Sequence, residues 1–288
     1  DAGNGTYVLA ETNISPSNLD ALTSGEWYLN VHTTANPNGE VRGQIVPDTT
    51  AVVTFSLSGS QEVPAVDTMA MGSGYALFDT TNNNVSLVAV TTIENATMAH
   101  IHTGFAGENG DVLVGLVESE STAGVWMTDG SIALDEATAT QLLAGGHYVN
   151  VHTAANTGGE IRGQITPDNI EVYGIIANGL QEVPAVTTTA SGAGAFTLNT
   201  STGALSGSVT ITGMTANMAH IHEGEMGVNG DVLIGLTAGT SGMWSVPANT
   251  TLTAEQMNVM ADGGLYTNFH SDAFPSGEIR GQITLGFD

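Results

Sequence analysis

The sequence predicts an all-β protein made of tandem antiparallel Greek-key sandwich or barrel domains, each with one short helix. First, 37 glycines and many Thr, Ser, Asn and Val residues favour short strands joined by tight turns. Second, apolar and polar residues alternate on both sides of an Asn-rich turn in SGYALFDTTNNNVSLVAVTTI, which is typical of a β-hairpin. Third, the same short motifs return about every 120 residues, a length that suits a domain with its own core.

Four motifs define the repeat. They are QEVPAV from Gln61 and Gln181, MAHIH with a following NGDVL from Met98 and Met218, NVHT from Asn30 and Asn150 (NFHS from Asn268), and a GE(V/I)RGQI segment around Arg42, Arg162 and Arg280. The motifs predict two complete repeats, 51–168 and 169–288, preceded by residues 1–50, which match only the back half of a repeat. Because this partial repeat has no front half, we expect missing sequence, a neighbouring domain or another subunit to complete it.

One short helix is predicted in each repeat, just before the NVHT strand. The first begins at Ser15-Pro16, the second at Asp135 and the third at Thr253. Each begins with a capping residue and ends at glycine, the usual chemistry of the two helix ends.

Together these motifs resemble the CHRD domain, which is named after chordin and also occurs in secreted bacterial and archaeal proteins. The resemblance covers the whole chain, as half a domain followed by two full domains. It implies an extracellular β-sandwich module with no established catalytic activity, secreted or at the cell surface. The H-x-H strand is also similar in layout to copper/zinc superoxide dismutase, by analogy only.

The charge balance excludes several partners. The net charge is −26, with 29 acidic residues, three arginines and no lysine. Such a field repels nucleic acid and anionic lipid, which need basic side chains to neutralise phosphate. No apolar run is long enough to span a membrane, so we expect no membrane insertion. The chain has no cysteine, which excludes disulfides and thiolate metal sites.

The histidines predict metal centres. Seven of the eight lie on repeat motifs, namely His100, His102, His152, His220, His222, His270 and, in the partial repeat, His32. Residues i and i+2 of a strand share a face, so the H-x-H pair and the NVHT histidine predict one three-imidazole site per complete repeat. Imidazoles suit copper, zinc, nickel or iron better than calcium. Met98 and Met218 lie two residues before an H-x-H pair and favour copper over zinc, although a core role is the commoner one for methionine. The alternative to metal binding is that these histidines are structural and hydrogen-bonded within the fold.

Two further sets of residues suggest a calcium site and structural ion pairs. The loops after HIH carry Asn109 and Asp111, then Asn229 and Asp231, which offer oxygens to calcium, although Asn-Gly-Asp is more often a simple turn. The arginines predict structural ion pairs, Glu62 with Arg162 and Glu182 with Arg280, with Arg42 as their counterpart in the partial repeat. The neighbouring Glu40, Glu160 and Glu278 are the alternative partners.

Three functions follow from the sequence. The first is a non-enzymatic extracellular module that binds a transition metal and assembles into a surface or filamentous polymer through its partial repeat. The second is a superoxide dismutase-like or other metalloenzyme, such as an oxygenase. The missing cationic residues disfavour an anionic substrate such as superoxide. The third is a metal-free adhesion or ligand-binding module.

Overall fold

The computed structural model describes residues 6–286. The partial repeat forms one helix and one hairpin. Its elements are α1 (Pro16–Thr23), β1 (Tyr28–Val31) and β2 (Val41–Gln44).

Each complete repeat forms one antiparallel β-domain. The first contains β3 (Thr50–Ser58), β4 (Met71–Asp79), β5 (Asn84–Thr91), β6 (Met98–Thr103), β7 (Val112–Gly115), β8 (Val117–Glu118), β9 (Val125–Met127), β10 (Ile132–Ala133), α2 (Glu136–Leu143), β11 (His147–His152) and β12 (Ile161–Gln164). The second contains β13 (Ile170–Asn178), β14 (Ser191–Asn199), β15 (Leu205–Thr212), β16 (Met218–Glu223), β17 (Val232–Gly235), β18 (Thr237–Ala238), β19 (Met243–Ser245), α3 (Ala254–Ala261), β20 (Leu265–His270) and β21 (Ile279–Leu285).

The two domains share one strand order. In the first it is β7-β6-β11-β12-β3-β4-β5-β9-β8, with β10 added beside β5, and in the second it is β17-β16-β20-β21-β13-β14-β15-β19-β18. The last strand of each path, β8 or β18, contacts β6 or β16 near the other end, so each sheet nearly closes on itself. The inner face of each sheet holds a separate hydrophobic core, one within residues 53–165 and the other within 173–283. The predicted all-β tandem fold with one short helix per repeat is confirmed.

The helices begin where their caps predict. Ser15, Asp135 and Thr253 each accept a hydrogen bond from a main-chain N–H in the first turn of the helix that follows. Thr253 adds a full capping box with Gln256. Each helix has eight residues, and none of the helices described is long and apolar enough to cross a membrane.

The first domain docks on the second through the loop that follows β6. Ser208 Oγ on β15 is fully buried and donates a 3.1 Å hydrogen bond to Gly107 O of this loop. Gly107 has φ +80°, and a Cβ there would lie 2.7 Å from Ala195 N and Ser208 O. The equivalent Gly227 of the second domain has the same φ of +80° but meets nothing within 4 Å. Gly107 is therefore required both by its positive φ and by the close approach of the second domain's backbone. Gly227 is required by its positive φ alone.

We expect Gly107→Ala to weaken the coupling between the two domains. Both Gly107→Ala and Gly227→Ala incur a positive-φ penalty of about 1–2 kcal/mol. Only Gly107→Ala also forces a Cβ against the main chain of the second domain, which adds about 1–3 kcal/mol. Differential scanning calorimetry should show the larger loss of stability, with separated unfolding transitions, only in Gly107→Ala. Equal losses in the two variants would contradict this account of the interface.

Candidate metal centres

The first site lies on the outer face of the sheet, where β6 and β11 pair. His100 and His102 lie on β6 and His152 on β11, with Asn150 opposite His100 and Met98 opposite His152. The loop after β6 covers this face, because Asn109 Nδ2 donates a 2.7 Å hydrogen bond to Val63 O of the QEVPAV segment. His102 and His152 are therefore buried and His100 is half-buried. One ring nitrogen from each histidine lies within 4.8 Å of the others.

The hydrogen bonds decide which nitrogens are free to bind a metal. His102 Nδ1 lies 3.0 Å from Gly110 O and His152 Nδ1 lies 3.1 Å from Thr157 O. A carbonyl oxygen only accepts hydrogen bonds, so both Nδ1 atoms carry the proton and both Nε2 atoms keep a lone pair. His100 Nδ1 lies 3.1 Å from His152 Nε2 and donates to it in the metal-free protein.

A metal ion fits this donor set. His102 Nε2 is buried and has no hydrogen-bond partner, which is costly unless something binds it. A transition metal bound by His102 Nε2, His152 Nε2 and His100 Nδ1 would satisfy it, once the His100 proton has moved to the other ring nitrogen. The three histidines that the sequence predicted as ligands do converge.

The second domain repeats this geometry atom for atom. His220 Nδ1 lies 3.1 Å from His270 Nε2, and His222 Nδ1 lies 3.0 Å from Gly230 O. His270 Nδ1 lies 3.1 Å from Pro275 O. His222 Nε2 is again buried without a partner. The two domains thus present the same three imidazoles in the same hydrogen-bonding arrangement.

Burial also keeps the imidazoles in the form that binds metal. Desolvation lowers the pKa of His100, His102 and His152 below the usual value for histidine, and it lowers the pKa of His222 and His270 in the same way. Neutral imidazole is the ligand form, so these five side chains release no net proton when they bind a metal at neutral pH.

In each domain a tyrosine and an arginine stack on one histidine of the triad. In the first domain the Tyr148 ring lies parallel to His102, with centroids 5.0 Å apart, and the Arg162 guanidinium lies 3.5 Å from the Tyr148 centroid. In the second domain Tyr266 stacks between His222 and Arg280, at 4.9 and 3.4 Å. The stack fixes the orientation of the imidazole whose Nε2 is unpartnered. Sequence reasoning missed the tyrosines, although the pattern Y-x-N-x-H recurs in all three repeats and places alternate residues on one strand face.

Comparison with known families now identifies the repeats. A family model for the CHRD domain matches residues 2–45, 53–165 and 173–283. The chain belongs to the CHRD domain family. The family resemblance predicted from the repeat motifs is confirmed. A search of curated proteins finds no match for the chain.

The arginine of each complete CHRD domain does not form the predicted ion pair. Arg162 donates to Glu108 O at 2.6 Å, to Phe105 O at 2.9 Å and to Gln164 Oε1 at 2.9 Å. Arg280 binds the matching carbonyls, Glu225 O and Val228 O, at 2.7 and 2.9 Å. Each arginine therefore holds the loop over the histidine triad through main-chain carbonyls.

The glutamates predicted as partners of these arginines each accept a hydrogen bond from an asparagine instead. Glu62 Oε2 accepts a 3.3 Å hydrogen bond from Asn150 Nδ2, and Glu182 Oε2 accepts one of the same length from Asn268 Nδ2. Glu62 Oε1 and Glu182 Oε1 are buried without partners. The alternative partners of the arginines, Glu40, Glu160 and Glu278, accept from the hydroxyls of Thr33, Thr153 and Ser271.

We expect Glu62→Gln to change how the stability of the metal-free protein depends on pH. Burial raises the pKa of Glu62 from 4.5 to about 7 against the opposing charge of Arg162, so the folded protein binds more protons than the unfolded chain between these values. The Glu62 contribution therefore lowers the free energy of unfolding as pH rises from about 4.5 to 7. Glu62→Gln removes this slope and gains about 1–2 kcal/mol at pH 8, with little change at pH 5.

Urea unfolding at a series of pH values checks this expectation. The difference between wild type and Glu62→Gln is the quantity to compare, because the contributions of the histidines cancel in it. Glu120→Gln, at an exposed position of the same domain, is the control and should show no such difference. A gap between wild type and Glu62→Gln that does not change with pH would contradict the raised pKa.

The structure assembles no calcium site in the loops. Asn109 and Asn229 donate their amide groups to Val63 O and Val183 O, and so join two loops. Asp111 and Asp231 are exposed. Within residues 6–286, the two histidine triads are the groups of three or more His, Asp or Glu side chains that meet at metal-binding distance. The prediction of calcium at these four residues is therefore not supported.

The partial CHRD domain carries the counterpart of one triad histidine, and within the described residues it forms no triad. His32 Nδ1 lies 2.9 Å from Pro37 O, as its counterparts do in the complete domains. Arg42 lies 3.7 Å from the Tyr28 centroid and donates to Gln44 Oε1, but the loop that supplies two carbonyls in the complete domains has no counterpart here. The structure brings His32 into neither triad.

Proposed function

We propose that this CHRD protein is a non-enzymatic extracellular module that binds one transition-metal ion in each complete domain. The observation that carries the proposal is the convergence of three imidazoles in both domains, with a buried and unpartnered Nε2 at His102 and His222. Nitrogen donors suit copper, zinc, nickel or iron. Copper is favoured, because a methionine lies on the ligand face of each domain.

Metal content tests the binding. Native mass spectrometry of protein loaded with copper or zinc should find two ions per chain, one ion in His102→Ala and none in His102→Ala/His222→Ala. The control is His147→Leu, since His147 is a buried core residue whose counterpart in the second domain is Leu265. The control should keep two ions. Two ions in the double variant would contradict the proposal, and an empty wild type would favour a metal-free adhesion module.

The electrostatics support a role without turnover of anionic substrates such as superoxide. The net charge of −26 repels anions, and the chain contains no lysine. Arg162 and Arg280 are each 1% exposed, so neither presents its charge to solvent beside a triad. We expect copper-loaded protein to show no superoxide dismutation above that of free copper. Turnover that His102→Ala halves and His102→Ala/His222→Ala abolishes would make the protein a metalloenzyme.

The partial domain supports assembly. Tyr28 is 48% exposed where its counterpart Tyr148 is 1% exposed, and Leu29 and Val41 are exposed where Val149 and Ile161 are buried. The outer edges of β1 and β2, which correspond to edges paired with β6 and β3 in the first complete domain, pair with no other strand in the described residues. Such edges and apolar side chains invite pairing with another subunit.

Analytical ultracentrifugation tests the assembly. We expect concentration-dependent association of the wild type and a weaker tendency in Leu29→Glu/Val41→Glu, which places charge on the exposed hairpin. Val112→Glu, at an exposed site outside this hairpin, is the control and should leave association unchanged. A monodisperse wild-type monomer whose first 50 residues resist protease would contradict the assembly proposal.

A further inference from the structure

Met98 and Met218 occupy the ligand face of the two sites. Met98 begins β6 two residues before His100, so the two side chains lie on one face of the strand. In the pairing of β6 with β11, Met98 lies directly opposite His152, and Met218 lies opposite His270 in the second domain. Directly opposed residues of antiparallel strands have Cβ atoms about 4.5–5.5 Å apart. Each methionine is therefore a strand neighbour of two of the three histidines in its domain.

Packing does not explain these methionines. The commoner core role is wrong here, because Met98 is 47% exposed and Met218 is 46% exposed. They are also the one pair, among ten methionines, at equivalent positions of the two repeats. Other exposed methionines have different counterparts, since Met71 matches Ser191 and Met226 matches Ala106. An apolar side chain kept in solvent at matching positions beside the same ligands points to a role at the site.

The shape of the site leaves room for a fourth ligand on the methionine side. The loop after β6 closes over His102 at one end of the row of side chains 98, 100 and 102. Met98 stands at the other, solvent-exposed end of that row. Solvent therefore approaches a metal held by the triad from the side on which the methionine lies.

The soft sulfur ligand, rather than the charges nearby, favours copper(I). Arg162 lies behind the triad across the Tyr148 ring and is buried, and its hydrogen bonds go to carbonyl oxygens and an amide rather than to a carboxylate. Arg280 has the same place in the second domain. Glu62 and Glu108 lie close enough to interact with the Arg162 charge, and Asp111 with His102, so the arginine alone does not select the charge of the ion. Thioether sulfur is a soft ligand that selects Cu(I).

We propose that Met98 and Met218 each supply a fourth, thioether ligand and make the two centres selective for Cu(I) over Zn(II). This inference rests on the proposed metal-binding function, and it assigns the residue that determines which metal the triads prefer. The three imidazoles hold either metal, and the methionine distinguishes them.

The test uses the full chain loaded anaerobically with Cu(I) or with Zn(II). X-ray absorption at the copper edge should show nitrogen ligands and one sulfur ligand per copper in the wild type, and nitrogen alone in Met98→Leu/Met218→Leu. Competition with a chromophoric Cu(I) chelator should show Cu(I) binding weakened about tenfold or more in this variant. Zn(II) binding should change less than about twofold.

Met69→Leu/Met71→Leu is the matched control. Both residues are exposed, and β11, β12 and β3 separate the strand of Met71 from β6. This variant should keep the sulfur ligand and both affinities. Wild-type Cu(I) bound by nitrogen alone, or equal losses for both metals in Met98→Leu/Met218→Leu, would overturn the methionine assignment while the histidine sites stand. A wild type that binds neither metal would overturn the proposed function together with it.

Discussion

Replacing Arg162 with lysine is expected to destabilise the first complete domain by about 3–5 kcal/mol. The guanidinium is 1% exposed, stacks on Tyr148 and donates to two carbonyls of the loop over the metal site. Lysine cannot stack in the same way, and its single ammonium group cannot reach both carbonyls with the same planar geometry. Buried acceptors then lose their donors, a cost that is a large part of the stability of a domain.

Urea unfolding measures this loss, followed by the fluorescence of the three tryptophans, of which Trp126 lies buried in the first domain. Arg42→Lys is the matched control, because Arg42 stacks on Tyr28 in the same way but lies exposed in the partial domain. It should cost less than about 0.5 kcal/mol. Similar losses in Arg162→Lys and Arg42→Lys would show that burial and the loop carbonyls contribute little.

Metal binding is expected to raise the thermal stability of both complete domains. An ion that binds the folded state at a free concentration of about 100 times Kd adds about 2.7 kcal/mol to the free energy of unfolding. For a domain of this size that corresponds to a rise in Tm of about 10 °C or more. Calorimetry of the metal-free and the copper-loaded protein measures the shift.

The two domains serve as controls for one another. His102→Ala should abolish the shift in the first domain and leave that of the second, and His222→Ala should do the reverse. His147→Leu should retain both shifts, since it lies outside the triads. A shift that survives in the domain without its histidine would place the metal elsewhere.

The sequence was informative where local chemistry and strand geometry act together. The side chains of Ser15, Asp135 and Thr253 cap their helices because the chemistry of a helix start is local. His100 and His102 share a face because strands alternate, and the repeated motif indicated the third ligand. These rules need no knowledge of distant contacts.

Contacts to main-chain atoms were beyond sequence reasoning. The acceptors of Arg162 are the carbonyls of Phe105 and Glu108, and a carbonyl is present at every residue, so no motif reveals it. Gly107 and Gly227 occupy matching places in the sequence, yet only Gly107 lies against another domain. The exposure of Met98 was missed for a related reason, because periodicity gives the face of a strand and not what covers it.

The central claim is that each complete domain holds one metal ion through its three histidines. An anomalous difference map from crystals of the copper-loaded full chain, recorded at the copper edge, tests it most directly. The account predicts two peaks per chain, one about 2.0–2.1 Å from His100 Nδ1, His102 Nε2 and His152 Nε2, and one at the matching atoms of His220, His222 and His270. Peaks bound only by surface carboxylates, or no peak at either triad, would contradict it.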